Sequence, residues 1–198
     1  MQATLNPRED EINLTDILTS IIADIVRAVP LLRHIDVQRT LVCIGSNKTG
    51  NRGCTYGKLV PLKFENGSGV LKYRNRYYGI PEIVHDGRTY LYIIYFYMPR
   101  FFNLSFEEKL RVIFHELYHI SPEFNGDIRR MGAVKKAHGH SKKHFDAHYA
   151  VDLKAFIGSM RDESHIRFLK MDSGSIFSCY GTVNGMRMKN PRPVLLKK

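Results

Sequence analysis

Residues 103–120 read NLSFEEKLRVIFHELYHI, and this run constrains the fold more tightly than any other stretch of the chain. Ser105 and Glu108 match the S-x-x-E capping box, in which side chain and backbone satisfy each other's donors at a helix start. Ser121 precedes Pro122, and a residue before proline is pushed out of the α region, so a helix is expected over residues 106–120. At ~100° per residue, with His115 set to zero, Phe106, Leu110, Ile113, Leu117 and Ile120 gather around ~180°. His115 and His119 fall near ~0° and ~40° on the same wheel. One side of the helix is built for a core, and the other presents two imidazoles one turn apart.

Two histidines at that spacing can aim at one divalent cation, and Glu116 is offset enough to reach solvent on the ion without binding it. A His-Glu-x-x-His pattern on a helix is the arrangement of metal-assisted hydrolysis, with the glutamate as general base. A surface helix with incidental histidines, or imidazoles satisfied within a core, is the bland alternative. The capping box and the segregated wheel weigh against it.

A catalytic zinc ion takes three protein ligands and keeps a fourth position for solvent. The third ligand is expected from residues 137–148, AHGHSKKHFDAH, which offer His138, His140, His144 and His148. The last three fall on one helical face if Ser141 caps a helix there, and Asp146 could fix an imidazole from behind. Spacing alone leaves the choice open. Asp127 could bond a ligand imidazole or only stabilise its Asn125-Gly126-Asp127 turn, and the turn is the favoured reading. Tyr118 and Tyr149 are candidates to stabilise an oxyanion.

Around this helix the chain reads as α+β. Residues 10–29 carry a helical apolar stripe, with Thr15 or Asp16 as cap and Pro30 as stop. Strand-like runs follow at residues 37–44, 58–64, 69–78 and 89–98. They are separated by a glycine-rich loop over 45–57 and by Asn66-Gly67 and Asp86-Gly87 turn signals. Residues 122–137 read as a loop and 141–160 as a second long helix. The expectation is one domain over residues 1–180, with an N-terminal helix, a small mixed sheet, the motif helix and a following helix. Residues 181–198 read as a basic, flexible tail.

Composition narrows the partners. Three cysteines without a C-x-x-C pair argue for reduced thiols and against a cysteine zinc ribbon. No run is apolar for the ~18–20 residues a membrane helix needs. The acidic N-terminus lacks a secretory pattern, so a cytoplasmic protein without membrane contact is expected. Net charge is +11, of which residues 1–30 contribute −3 (five acids, two bases) and the remainder +14. Such a field suits nucleic acid, an acidic protein or an anionic membrane surface, and equally a solubilising surface.

The segment VIFHELYHISPEFNGDIRR, with the later HGHSKKHFDAH, resembles the phage metallopeptidase family, a zincin group. The likeness spans residues 37–157 and is sharpest over 112–130. More distantly the chain is similar to SprT-like and Spartan proteases, which place a strand layer before His-Glu-x-x-His and the third ligand in a Gly-His element opening the next helix. Gly139-His140 matches that element, so the resemblance implies a Zn²⁺ site of His115, His119 and His140, with His144 as second choice. The metzincin form is absent, because no third histidine follows His119 six residues on. The implied activity is peptide-bond hydrolysis with Glu116 as base, in the host-cell cytoplasm, on a protein or peptide substrate. Three rivals are a DNA-associated SprT-like protease, a non-enzymatic basic nucleic-acid-binding module with structural zinc, and a zinc hydrolase acting on non-peptide amides. A closed four-ligand site would favour the second.

Overall fold

The N-terminal stripe forms α1 (Leu14–Ala28), but a strand, β1 (Glu9–Asn13), precedes it in a computed structural model describing residues 9–46, 55–131, 137–138 and 141–196. The cap is therefore Asn13, whose side chain accepts from the amides of Thr15 and Asp16, at 3.0 and 3.4 Å. The expected cap residue Thr15 instead takes the Met186 amide on its hydroxyl. The order continues through β2 (Thr40–Ser46), β3 (Gly57–Pro61), β4 (Val70–Tyr73), β5 (Arg76–Gly79), β6 (Val84–His85), β7 (Arg88–Thr89) and β8 (Tyr92–Met98). Then come α2 (Phe106–Tyr118), α3 (Lys142–Ala147), α4 (Ala150–Ser159), α5 (Glu163–Lys170), α6 (Ser173–Cys179), β9 (Tyr180–Asn184) and β10 (Val194–Leu195). The layout is α+β, as the alternation of patterns implied.

The sheet that positions the site has the order β2-β8-β3 and is mixed. β2 runs parallel to β8, from Thr40 opposite Tyr92 to Ser46 opposite Met98, and β3 pairs antiparallel on the other side. β8 is central and its side chains alternate between two cores. Tyr92, Ile94 and Phe96 join Val42, Ile44 and the buried faces of α1 and α2 in the larger one. Ile93 and Tyr95 join Leu41, Cys43, Val60 and Leu62 in a smaller cluster on the opposite face. Burial on both faces explains why residues 89–98 read as an almost unbroken apolar run.

Three boundaries differ from the pattern in the sequence. Residues 37–39 form a 3-10 turn because the Asp36 carboxylate accepts from the Gln38 amide at 2.9 Å, and the strand begins only at Thr40. Residues 69–78 are not one strand but the hairpin β4–β5, turning at Arg74-Asn75 with both φ positive. Arginine is rare in that conformation, so no turn signal marks the position. The expected helix over 141–160 is split into α3 and α4 at His148-Tyr149. Neither proline nor glycine breaks it; the Tyr149 ring is buried and its hydroxyl donates back to Asp146 at 2.6 Å.

The segment from residue 181, expected as a flexible basic arm, is strand-paired at two points. β9 lies parallel to β1, and β10 lies antiparallel to β5. Between them Ile44 donates to the Met186 carbonyl at 2.7 Å. Tyr180, Val183, Met186 and Met188 supply the apolar contacts that hold this stretch down, which a count of its bases does not reveal. Among the described residues, no helix is long and apolar enough to cross a membrane.

Candidate metal centre

α2 begins with both halves of the capping box formed. The Ser105 hydroxyl accepts from the Glu108 amide, and the Glu108 carboxylate accepts from the Ser105 amide at 3.0 Å. Leu110, Ile113, Phe114 and Leu117 face the core. The helix stops at Tyr118, but His119 keeps αR backbone angles as its C-cap, so its ring still follows the turn above His115. The carbonyls released at this end are taken by one residue: Arg129 donates its amide to His119 O at 2.7 Å and Nε to Tyr118 O at 2.8 Å. Arg129 is placed by the loop after α2, which Asp127 braces by accepting from the Asn66 and Ile128 amides and from Arg130. Asp127 thus serves the turn, as favoured.

Three imidazoles converge above α2. Nε2 of His115 lies 3.1 Å from Nε2 of His119 and 3.1 Å from Nε2 of His138. His115 donates from Nδ1 to Asp146 Oδ1 at 2.8 Å, which leaves its Nε2 as the unprotonated nitrogen facing the other two. Asp146 Oδ1 also accepts from Tyr149, so the carboxylate is itself held in place. Phe145, on the buried face of α3, packs against all three rings, with centroids 4.4 to 5.1 Å away. Burial drives the His119 pKa down to about 3, helped by the charges of His115, His138 and Arg129. Burial also lowers His115, against the pull of Asp146. His115 and His119 are therefore held as neutral imidazoles, the form that ligates metal.

The donor set fits a tetrahedral divalent cation. Nitrogens at the bond length of a zinc–histidine site stand about 3.3 Å apart, close to the 3.1 Å spacings here. His115, His119 and His138 form one of two groups of metal-capable side chains among the described residues.

Glu116 lies beside the imidazoles with only 6% of its surface exposed. Its Oε2 accepts from the Leu59 amide at 2.7 Å. Burial pushes its pKa up to about 7, opposed by that bond and by the charges of Lys142 and Lys58. The register of β3 accounts for the Leu59 contact: Tyr56, Val60 and Leu62 face β8, so Gly57, Leu59 and Pro61 turn their backbone toward α2. At Gly57 the absence of a side chain lets β3 lie close against α2 and the carboxylate. A Cβ there would stand 2.9 Å from Val112 and 3.0 Å from Glu116 Oε1, so a side chain would crowd the acid. Strand and helix enclose a cleft of about 650 Å³ whose walls include Tyr56, Lys58, Leu59, Arg111, Val112 and Lys142.

The structure thus brings together His115, Glu116 and His119 with Asp146 behind them, and the third ring is His138. His140, the expected third ligand, lies outside the described residues. His144 and His148 sit on the exposed side of α3, where His148 stacks on Tyr118. Tyr149 spends its hydroxyl on Asp146, and Tyr118 is buried beneath Arg129, whose guanidinium lies 4.2 Å from the ring centroid. Phe145 and the Leu59 amide carried no signal in the sequence. Gly57 was visible only as the end of a glycine-rich loop. A comparison with known families matches residues 11–169 to the one described as Putative phage metallopeptidase. No curated protein and no solved structure matches the chain.

Proposed function

The chain belongs to the phage metallopeptidase family, and from that premise we propose that it is a zinc-dependent peptidase with Glu116 as general base. The observation that carries the reading is the convergence of three Nε2 atoms at 3.1 Å spacing beside a buried glutamate, in a cleft large enough for a peptide. His115, His119 and His138 are the proposed ligands, with His140 the alternative third. Zinc held there would polarise the scissile carbonyl and acidify the attacking water. Asp146 and Tyr149 keep the His115 lone pair turned inward. Leu59 anchors Oε2 of Glu116, which leaves Oε1 to take the proton from water and pass it to the departing amine. The raised proton affinity of the buried carboxylate suits both halves of that transfer. The family implies a protein substrate, and a host-cell cytoplasmic setting is part of the same reading.

Metal analysis and a casein cleavage assay test the proposal together. Glu116→Gln should keep wild-type zinc content and lose about 10²–10⁴-fold in turnover. His138→Ala should lose most of its zinc, while His140→Ala should keep it. Full cleavage by Glu116→Gln would refute the base role; zinc loss confined to His140→Ala would transfer the third ligand to that residue.

A further inference from the structure

The second group of metal-capable side chains lies away from the cleft, where α1 meets the start of α5. Asp24 on α1, Asp162 at the α5 cap and His165 within α5 bring one donor atom each within 4.8 Å of one another. Each carboxylate is divided in its duties. Asp24 uses Oδ1 for Arg27, and Asp162 uses Oδ1 to accept from the Ser164 and His165 amides. Their Oδ2 atoms both turn to the Nδ1 of His165, at 3.0 Å from Asp24 and 3.6 Å from Asp162. The His165 side chain is 93% buried, since 7% of it is exposed. Yet its Nδ1 makes no hydrogen bond, although the Asp24 oxygen is 3.0 Å away. An imidazole placed merely to bridge two acids would aim its proton at one of them. Here neither oxygen takes it.

The geometry points to a second divalent-cation site formed by Asp24, Asp162 and His165, which clips α1 to α5. Two carboxylate oxygens and an imidazole nitrogen suit Zn²⁺, Mn²⁺ or Co²⁺ better than Ca²⁺, which takes oxygen ligands throughout. Asp24 and Asp162 are partly exposed, so water can complete the coordination from the outer side. The site is structural. α5 supports the motif helix, since Lys109 of α2 donates to the Leu169 carbonyl and Phe168 packs edge-on against Phe102. A cation joining α1 to α5 therefore stabilises the scaffold beneath the cleft without touching a substrate. The assignment does not depend on the peptidase reading.

Metal binding to the full chain, probed with Mn²⁺ and Zn²⁺, tests the site. Asp24→Asn/Asp162→Asn, which retains side-chain oxygens for capping, should bind one ion fewer per chain than wild type. Its thermal midpoint should rise less than that of wild type when Mn²⁺ is added, because only the cleft site remains. His115→Ala/His119→Ala, which removes the cleft site, should still bind one ion and still show the rise. Unchanged stoichiometry in the asparagine variant would overturn the site, as would a midpoint insensitive to both ions in wild type. The trio would then hold no cation. Should the alanine variant fail to fold, the difference in stoichiometry and midpoint between wild type and the asparagine variant separates the same two outcomes.

Discussion

Asp146 receives two hydrogen bonds on a single oxygen, from His115 and from Tyr149. Its charge fixes which nitrogen of His115 bears the proton, and thereby which one is offered to a metal. Asp146→Asn should weaken metal binding about 10–100-fold, whereas Tyr149→Phe, which leaves the carboxylate in place, should weaken it less. Competition against a chromogenic chelator measures both, and equal losses would mean that Asp146 acts by packing alone. At this scale the sequence was informative wherever chemistry follows a helical period. His115, Glu116 and His119 could be placed from their spacing, and Asp146 from its position among the histidines. The third ring could not, because a loop of some twenty residues separates it from α2 and loop paths have no period. Phe145 and Gly57 escaped notice for another reason: their roles depend on what lies opposite them in space.

At the scale of the element, α2 owes its position to an unusual core residue. Lys109 is fully buried, and Nζ donates to the carbonyls of Leu169 and Met171 just where α5 ends. Lys109→Met should cost about 1–3 kcal/mol, because both acceptors lose their donor while remaining buried. Burial lowers the Lys109 pKa from 10.5 to about 8, so the unfolded chain binds more protons than the folded one between those values. Stability attributable to this residue rises with pH across that window. The advantage of wild type over Lys109→Met in denaturant unfolding should accordingly be larger at pH 10 than at pH 8; a constant gap would mean that the ammonium pays no desolvation cost. Elements were legible where local signals acted alone, as with the capping box of α2 and the cap of α3 at Ser141. They were obscured where a tertiary contact prevailed over them. Tyr149 breaks a continuous helical pattern, and β1 takes four residues from the front of an unbroken apolar stripe because β9 lies beside it.

For the whole molecule, the two ends of the chain close the fold against each other, and this long-range pairing is what local patterns could not reveal. β9 pairs with β1, the Asn184 side chain donates to Glu11, and Met186 joins Thr15 of α1 to Ile44 of β2. Gly185 approaches Ile44 so closely that a Cβ would stand 2.7 Å from its side chain. β10 is different in kind: Val194 and Leu195 stay about half exposed, and their pairing reaches only the outer hairpin. A chain ending at Lys189 should thus unfold within about 1 kcal/mol of the full-length protein. One ending at Cys179 loses the burial of Tyr180, the partner of β1 and the bonds of Met186 together, and should fall by more than about 4 kcal/mol. Denaturant midpoints of the two truncations separate these cases. Equal stability of both would place residues 180–189 outside the folding unit. A heavy loss already at Lys189 would make the β10 contact, rather than β9, the closure on which the scaffold of the metal centre relies.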